Sequence, residues 1–230
     1  MEWQILNNQF PVFNYSSNEN IELIRQRIFA IPNVTIHVRG SVLEETVLNK
    51  FADLDLYIIF QSKYINQEYI EDLKKSLFFF GRKVDIHGFT YDRLLRTPVE
   101  NFLFHKMSYY ITGEKLETNN IIIDNNLIIS FWKAYNPSYG PNVMYNNRTS
   151  RVCALKNLTR CFGLINLIEN GIFSRNIAMC LKYAEQKDNF IYDLLIENWS
   201  IVDIQKPLML KIIKDYLTSY QIMFEKTIGP

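Results

Sequence analysis

Three aspartates and a Gly-Ser pair are the residue types from which a metal-assisted phosphate site is built. Asp53 and Asp55 open an apolar run, DLDLYIIF, in which Leu54 and Leu56 alternate with them. Side chains two apart on a strand share a face. The two carboxylates therefore look one way and the leucines the other, into a core. Carboxylates crowded at a strand mouth repel each other and lose solvation, a cost that a divalent cation between them removes. Magnesium suits such a pair, because it takes hard oxygen ligands, keeps water, and binds through one or two carboxylates plus substrate phosphates. Gly40-Ser41 lies upstream, after the β-branched run Val34 to Val38 and before a short helical stretch. A glycine there lets backbone approach a phosphate, and the helix N-terminus offers free N–H groups. Ser41 either caps that helix or gives its hydroxyl to a phosphate oxygen. A plain strand, turn and helix would also use these residues, but the order and spacing between two apolar strands favour the phosphate site.

The stretch 33–60 resembles the nucleotidyltransferase fold of the polymerase β superfamily: a strand, Gly-Ser, a helix, then Asp-x-Asp on the next strand. The resemblance implies a third carboxylate on a later strand, and RKVDIHG (82–88) supplies Asp85 between Val84 and Ile86. It also implies that Asp53, Asp55 and Asp85 hold magnesium and that Gly40 and Ser41 cradle the nucleotide phosphates. Many small-molecule members carry a further glycine in the loop and a serine before the first aspartate. This chain has Glu44, Glu45 and Ala52 instead, so its phosphate grip differs.

Several elements must position these residues. Ile21, Ile24, Ile28 and Ile31 recur at helical spacing, and Pro32 ends that helix before the first strand. Asn66 to Phe80 reads as an amphipathic helix with acidic residues early and lysines late, as the helix dipole favours. The strand with Asp85 follows, giving an α/β unit with its carboxylates on adjacent strand ends. Residues 90–118 read as helical, broken at Thr97-Pro98, with a turn at Thr112-Gly113. SYYITGEKL (108–116) resembles a segment that closes this domain in antibiotic nucleotidyltransferases, although a helix capped by Gly113 explains it as well. Composition changes over 119–127, TNNIIIDNNL in outline, which sets the domains at 1–118 and 119–230. Five helical patterns follow, over 127–135, 149–170, 174–185, 190–199 and 207–226, and form a bundle. The expected fold class is thus an α/β (α+β) nucleotidyltransferase domain with a mixed sheet, followed by a C-terminal α-helical bundle.

In the bundle, NGIFSRNIAMCLKYAEQ (170–186) resembles the Gly-x-x-Ser-Lys-x-x-Ala segment of streptomycin/spectinomycin-type adenylyltransferases. There the lysine reaches the nucleotide triphosphate, which implies a nucleotide-binding role for Arg175, with the charge kept and the geometry changed. A solvated helix-end arginine is the alternative. Lys156 and Arg160 lie one turn apart and suit either a cleft or a surface. Tyr135, Tyr139 and Tyr145 fall in or beside the loop before the second helix of the bundle, where an aromatic can stack on a base; a loop docking on its own domain explains them equally well.

The bulk properties narrow the function. With 230 residues, 48% of them apolar, the chain has ample core material. The net charge is +1, with 13 basic and 15 acidic groups in 1–118 and 12 basic and 9 acidic in 119–230. Neither half has the excess expected of a protein that tracks a phosphate backbone, which makes a long nucleic acid an unlikely partner. Nor is the chain acidic, as a site for polycationic drugs would favour. Cys153, Cys161 and Cys180 show neither disulfide nor zinc spacing and read as buried thiols. His37, His87 and His105 form no recognisable triad. His87 follows Asp85 by two and shares its face, but reads first as a structural histidine. No apolar run spans a bilayer and no signal peptide opens the chain, so a cytoplasmic, membrane-free protein is expected.

The resemblance implies an Mg2+-dependent transfer of a nucleoside monophosphate, AMP from ATP, to a hydroxyl of a small-molecule acceptor such as an antibiotic, with release of pyrophosphate. Asp53, Asp55 and Asp85 carry the catalysis, and Asp85 draws off the acceptor's proton. Transfer to protein or tRNA, as in toxin–antitoxin systems, and a non-catalytic nucleotide-binding or partner module are the alternatives.

Overall fold

The computed structural model describes residues 19–40, 54–78, 83–116, 124–135, 148–200 and 211–220. The described residues fall into two compact units, within 12–122 and 123–230 respectively.

The first unit is built on a four-stranded mixed sheet. β1 (Val34–Arg39), β2 (Leu54–Phe60), β3 (Val84–Thr90) and β4 (Ser108–Gly113) lie in the order β3-β2-β1-β4. β1 is antiparallel to both β2 and β4, and β2 runs parallel to β3. Alternation assigns the faces. Ile36, Val38, Leu54, Leu56, Ile58 and Phe60 project into one core with α1 (Glu19–Arg27) and α2 (Gln67–Leu77). Ile21 and Ile24 from α1, and Tyr69, Ile70, Leu73 and Leu77 from α2, complete it. Each fully buried aliphatic side chain here contributes about 2 kcal/mol. Asn66 caps α2 by accepting from the Tyr69 N–H.

The sheet's other face is covered from 91–107, by α3 (Tyr91–Leu95) and α4 (Pro98–Met107). Phe104 of α4 lies 4.2 Å from the His37 ring and meets Tyr57 edge-on. Ser108 Oγ donates to the Phe104 carbonyl, so at 2.8 Å it accepts from His37 Nδ1–H. Burial, and secondarily His105, push the His37 imidazole down to about 3 from its ordinary 6.5. The unfolded chain therefore takes that proton first. Its contribution to stability is complete above pH 6.5 and falls as pH drops toward 3, by roughly 3 kcal/mol at pH 4. Denaturant midpoints from pH 7 to 4 should fall steeply for the wild type and less so for His37→Gln.

The helical reading of 90–118 holds only to Met107. Residues 108–113 form β4 instead, because SYYITG is a β-branched and aromatic run with an open edge of β1 to pair against. Gly113 is accordingly no helix cap. Its φ is +96°, and an added Cβ would sit 2.0 Å from the Val34 carbonyl oxygen. Backbone cannot yield there as a side chain can, so Gly113→Ala should lower unfolding free energy by about 3 kcal/mol or more. Urea denaturation would measure the loss.

The second unit is helical: α5 (Asn125–Tyr135), α6 (Arg148–Asn170), α7 (Ile177–Lys187) and α8 (Asn189–Ser200), with 211–220 also helical. Leu155, Leu158, Phe162, Ile165, Ile191 and Leu195 are buried in it. Gly163 admits close packing, since a Cβ there would lie 2.0 Å from the Ser174 carbonyl oxygen. Cys161 and Cys180 are buried as expected, whereas Cys153 is exposed. Among the described residues no helix is long and apolar enough to cross a membrane.

Candidate functional site

Register brings the first unit's candidate residues together. Asp55 pairs with Asp85 across the parallel β2–β3 ladder and with Arg39 across the antiparallel β1–β2 ladder. Residues directly opposite on neighbouring strands project from the same face, so one row reads Arg39, Asp55, Asp85. The next row reads His37, Tyr57, His87. Leu54 and Leu56 point to the opposite face, 3% and 0% exposed. The backbone turns away from this row at Gly40, whose φ of +80° favours glycine. An added Cβ would lie 2.5 Å from Asp55 Oδ2, so the missing side chain is what lets strand end and carboxylate sit together. Ser41 and Asp53 lie outside the described residues, as do Glu44, Glu45 and Ala52.

Charge in the row is partly balanced by lysine and arginine. Lys83 Nζ donates to Asp85 Oδ2 at 2.9 Å. That bond holds the Asp85 carboxyl below its usual range, against a smaller opposing effect of burial. Both partners are about half exposed or more, so the pair is weak and exchangeable. His87 accepts from Arg39 Nη2 at its Nε2, 2.9 Å away. A guanidinium has no acceptor, which fixes the proton of the neutral ring on Nδ1. Burial, then the Arg39 charge, lower its pKa. The structural reading of His87 is thus the one its hydrogen bond supports.

Sequence reasoning did not single out Arg39, Tyr57, Lys83 or Glu100. One signal was available: Arg39 alternates with His37 on β1 and immediately precedes Gly40, so it had to share the face of Asp55.

Two carboxylates side by side on parallel strands fit a hard divalent cation with water and phosphate completing its shell. Among the described residues no three His, Cys, Asp or Glu side chains converge into a metal-binding group. A third oxygen ligand would have to come from Asp53 or from substrate.

Arg175 belongs to the helical unit, immediately before Asn176, which caps α7 by accepting from the Met179 N–H. Phe173 packs 5.2 Å from Phe131, and Ser174 rests on Gly163, so the segment is held between α5 and α6. Arg175 Cζ then lies 5.7 Å from the Tyr135 ring centroid. Its Nε and the Tyr135 hydroxyl are buried without a hydrogen-bond partner among the described residues. Burial raises the Tyr135 pKa, and the Arg175 and Arg160 charges oppose that. Lys156 is exposed, and Trp199 Nε1 donates to Thr159 Oγ1 at 3.3 Å, which accounts for that indole within the bundle. Tyr139 and Tyr145 lie outside the described residues.

No family model matches the chain, and no curated protein matches it. Among solved structures, it is similar to spectinomycin adenyltransferase AAD(9) from Enterococcus faecialis, determined with ATP and spectinomycin. The TM-score is 0.47 at 12% identity, over 81% of this chain and 92% of the other. That likeness is too distant to speak to activity.

Proposed function

We propose that the chain is a nucleotidyltransferase that moves a nucleoside monophosphate, AMP from ATP, onto a hydroxyl of a small acceptor. The observation that carries this reading is the alignment of Asp55 with Asp85 on parallel strands, with Gly40 closing on Asp55. It occurs within the Gly-Ser and Asp-x-Asp framework of the sequence. In this reading Asp53, Asp55 and Asp85 hold magnesium, while Gly40 and Ser41 meet the β- and γ-phosphates. Magnesium, when bound, neutralises the triphosphate and the charge that develops as pyrophosphate leaves. The acceptor oxygen bonds to the α-phosphorus, the bond to the β-phosphate oxygen breaks, and the acceptor's proton passes to the Asp85 carboxylate. Lys83 occupies one oxygen of Asp85 and leaves the other to accept. Arg175 keeps the cationic, partly buried guanidinium to which the sequence resemblance gives a nucleotide-binding role.

The test is magnesium-dependent pyrophosphate release with each of the four nucleoside triphosphates, against hydroxylated small molecules, bulk tRNA and protein. Release with one acceptor class fixes donor and acceptor together. Release with tRNA or protein alone would replace the small-molecule acceptor. The Lys83–Asp85 pair, which neutralises the third carboxylate, favours one further reading: a nucleotide-binding module without turnover. That reading predicts ATP binding with no pyrophosphate release from any mixture.

A further inference from the structure

Arg39 has two sets of anions within reach. By register its neighbours are Asp55 and, one strand further, Asp85. Its guanidinium is drawn instead to the next row of the sheet. Nη1 donates to Tyr57 Oη and, at 3.1 Å, to Glu100 Oε2, while Nη2 donates to His87. Cζ lies 4.5 Å from the Tyr57 ring centroid. Glu100 arrives from a separate element, the first turn of α4, and also accepts from Tyr57 Oη. The Arg39 and Glu100 side chains are only 15% and 27% exposed. This pair is therefore held far more firmly than the exposed Lys83–Asp85 pair.

We propose that Glu100 is a positioning residue that holds Arg39 away from Asp55 and Asp85, and so keeps a guanidinium from competing with a divalent cation for those carboxylates. The inference rests on the carboxylate reading above. Without Glu100, the Arg39 guanidinium retains its charge beside Tyr57 and His87 with no anion in that row. The nearest replacements are the two aspartates. A guanidinium binds a carboxylate through paired, charge-assisted hydrogen bonds, and a carboxylate engaged that way competes with metal. Glu100 thus acts on the site through Arg39 and needs no contact with metal or substrate.

The test uses Mn2+ alone as the probe, with free Mn2+ read by electron paramagnetic resonance on the full chain without nucleotide. Glu100→Gln should weaken Mn2+ binding about tenfold or more, the worth of one charge-assisted hydrogen bond in competition. Arg39→Met should bind at least as tightly as the wild type, since it removes both a competitor and a repelling charge. The double variant should follow Arg39→Met, and because both charges are gone it leaves no buried ion unpaired should Glu100→Gln fold poorly. Thermal midpoints are read in parallel. A double variant that binds no better than Glu100→Gln would show a merely structural role and overturn the proposal. So would wild-type affinity in Glu100→Gln, or a double variant weaker than Arg39→Met if the single variant does not fold. Asp55→Asn separates the two levels of argument. If the wild type binds no Mn2+, or Asp55→Asn binds it equally well, the carboxylate reading falls and this inference with it.

Discussion

Gly40→Ala is expected to cut nucleotidyl transfer about a hundredfold while lowering stability by only about 1–2 kcal/mol. Two features separate the effects. The φ of +80° imposes the modest cost of a left-handed alanine. The new Cβ, 2.5 Å from Asp55 Oδ2, meets the far end of a side chain, which can rotate away at little cost to the fold. The site cannot spare that rotation, because displacing a ligand by about an ångström is enough to lose the productive geometry. Gly113 provides the contrast. There the obstacle is backbone, at 2.0 Å, so the same substitution should show mainly as lost stability. Pyrophosphate release and denaturant midpoints on both variants measure the dissociation. Equal activity in Gly40→Ala and wild type would remove Gly40 from the site.

Much of this site was legible before any coordinates, for a definite reason. Period-two alternation in DLDLYIIF fixes which residues share a face, and Gly40 after a β-branched run marks where β1 must turn. The parallel register that sets Asp55 beside Asp85 is not written in either strand. It depends on how β3 packs after α2. The strand at 108–113 was hidden because SYYITG has no alternation of its own and follows a helix without a break. Its identity comes from the free edge of β1, a tertiary fact that overrides local pattern. The network of Arg39, Tyr57, His87 and Glu100 joins residues up to 61 positions apart, and no local spacing encodes such a contact. The bundle was read more easily, since its helices are long and their apolar positions recur every three or four residues.

The two faces of the sheet divide the work. The face toward α1 and α2 buries an apolar cluster and supplies the stability that lets the other face carry charge. There three acidic groups, Asp55, Asp85 and Glu100, share a small area with Lys83 and Arg39. An arrangement optimised for stability alone would not gather them. Like charges near one another disfavour the ionised form, and sites that retain such groups commonly trade stability for activity.

That trade gives the largest expected effect a sign on both axes. Asp53→Asn/Asp55→Asn should abolish transfer, by on the order of a thousandfold or more, since several kcal/mol of charge stabilisation at the reacting phosphate is lost. The same double variant should melt no lower than the wild type without metal, because two mutually repelling charges are gone and amides of equal size replace them. Adding Mg2+ and ATP should raise the wild-type midpoint, as any ligand of the folded state does, and leave the variant's midpoint where it was. Loss of activity with a matching loss of stability would mean that the aspartates serve the fold. Unchanged turnover in the double variant would end the nucleotidyltransferase reading. Ligand-dependent stabilisation that survives it would place the nucleotide elsewhere on the chain.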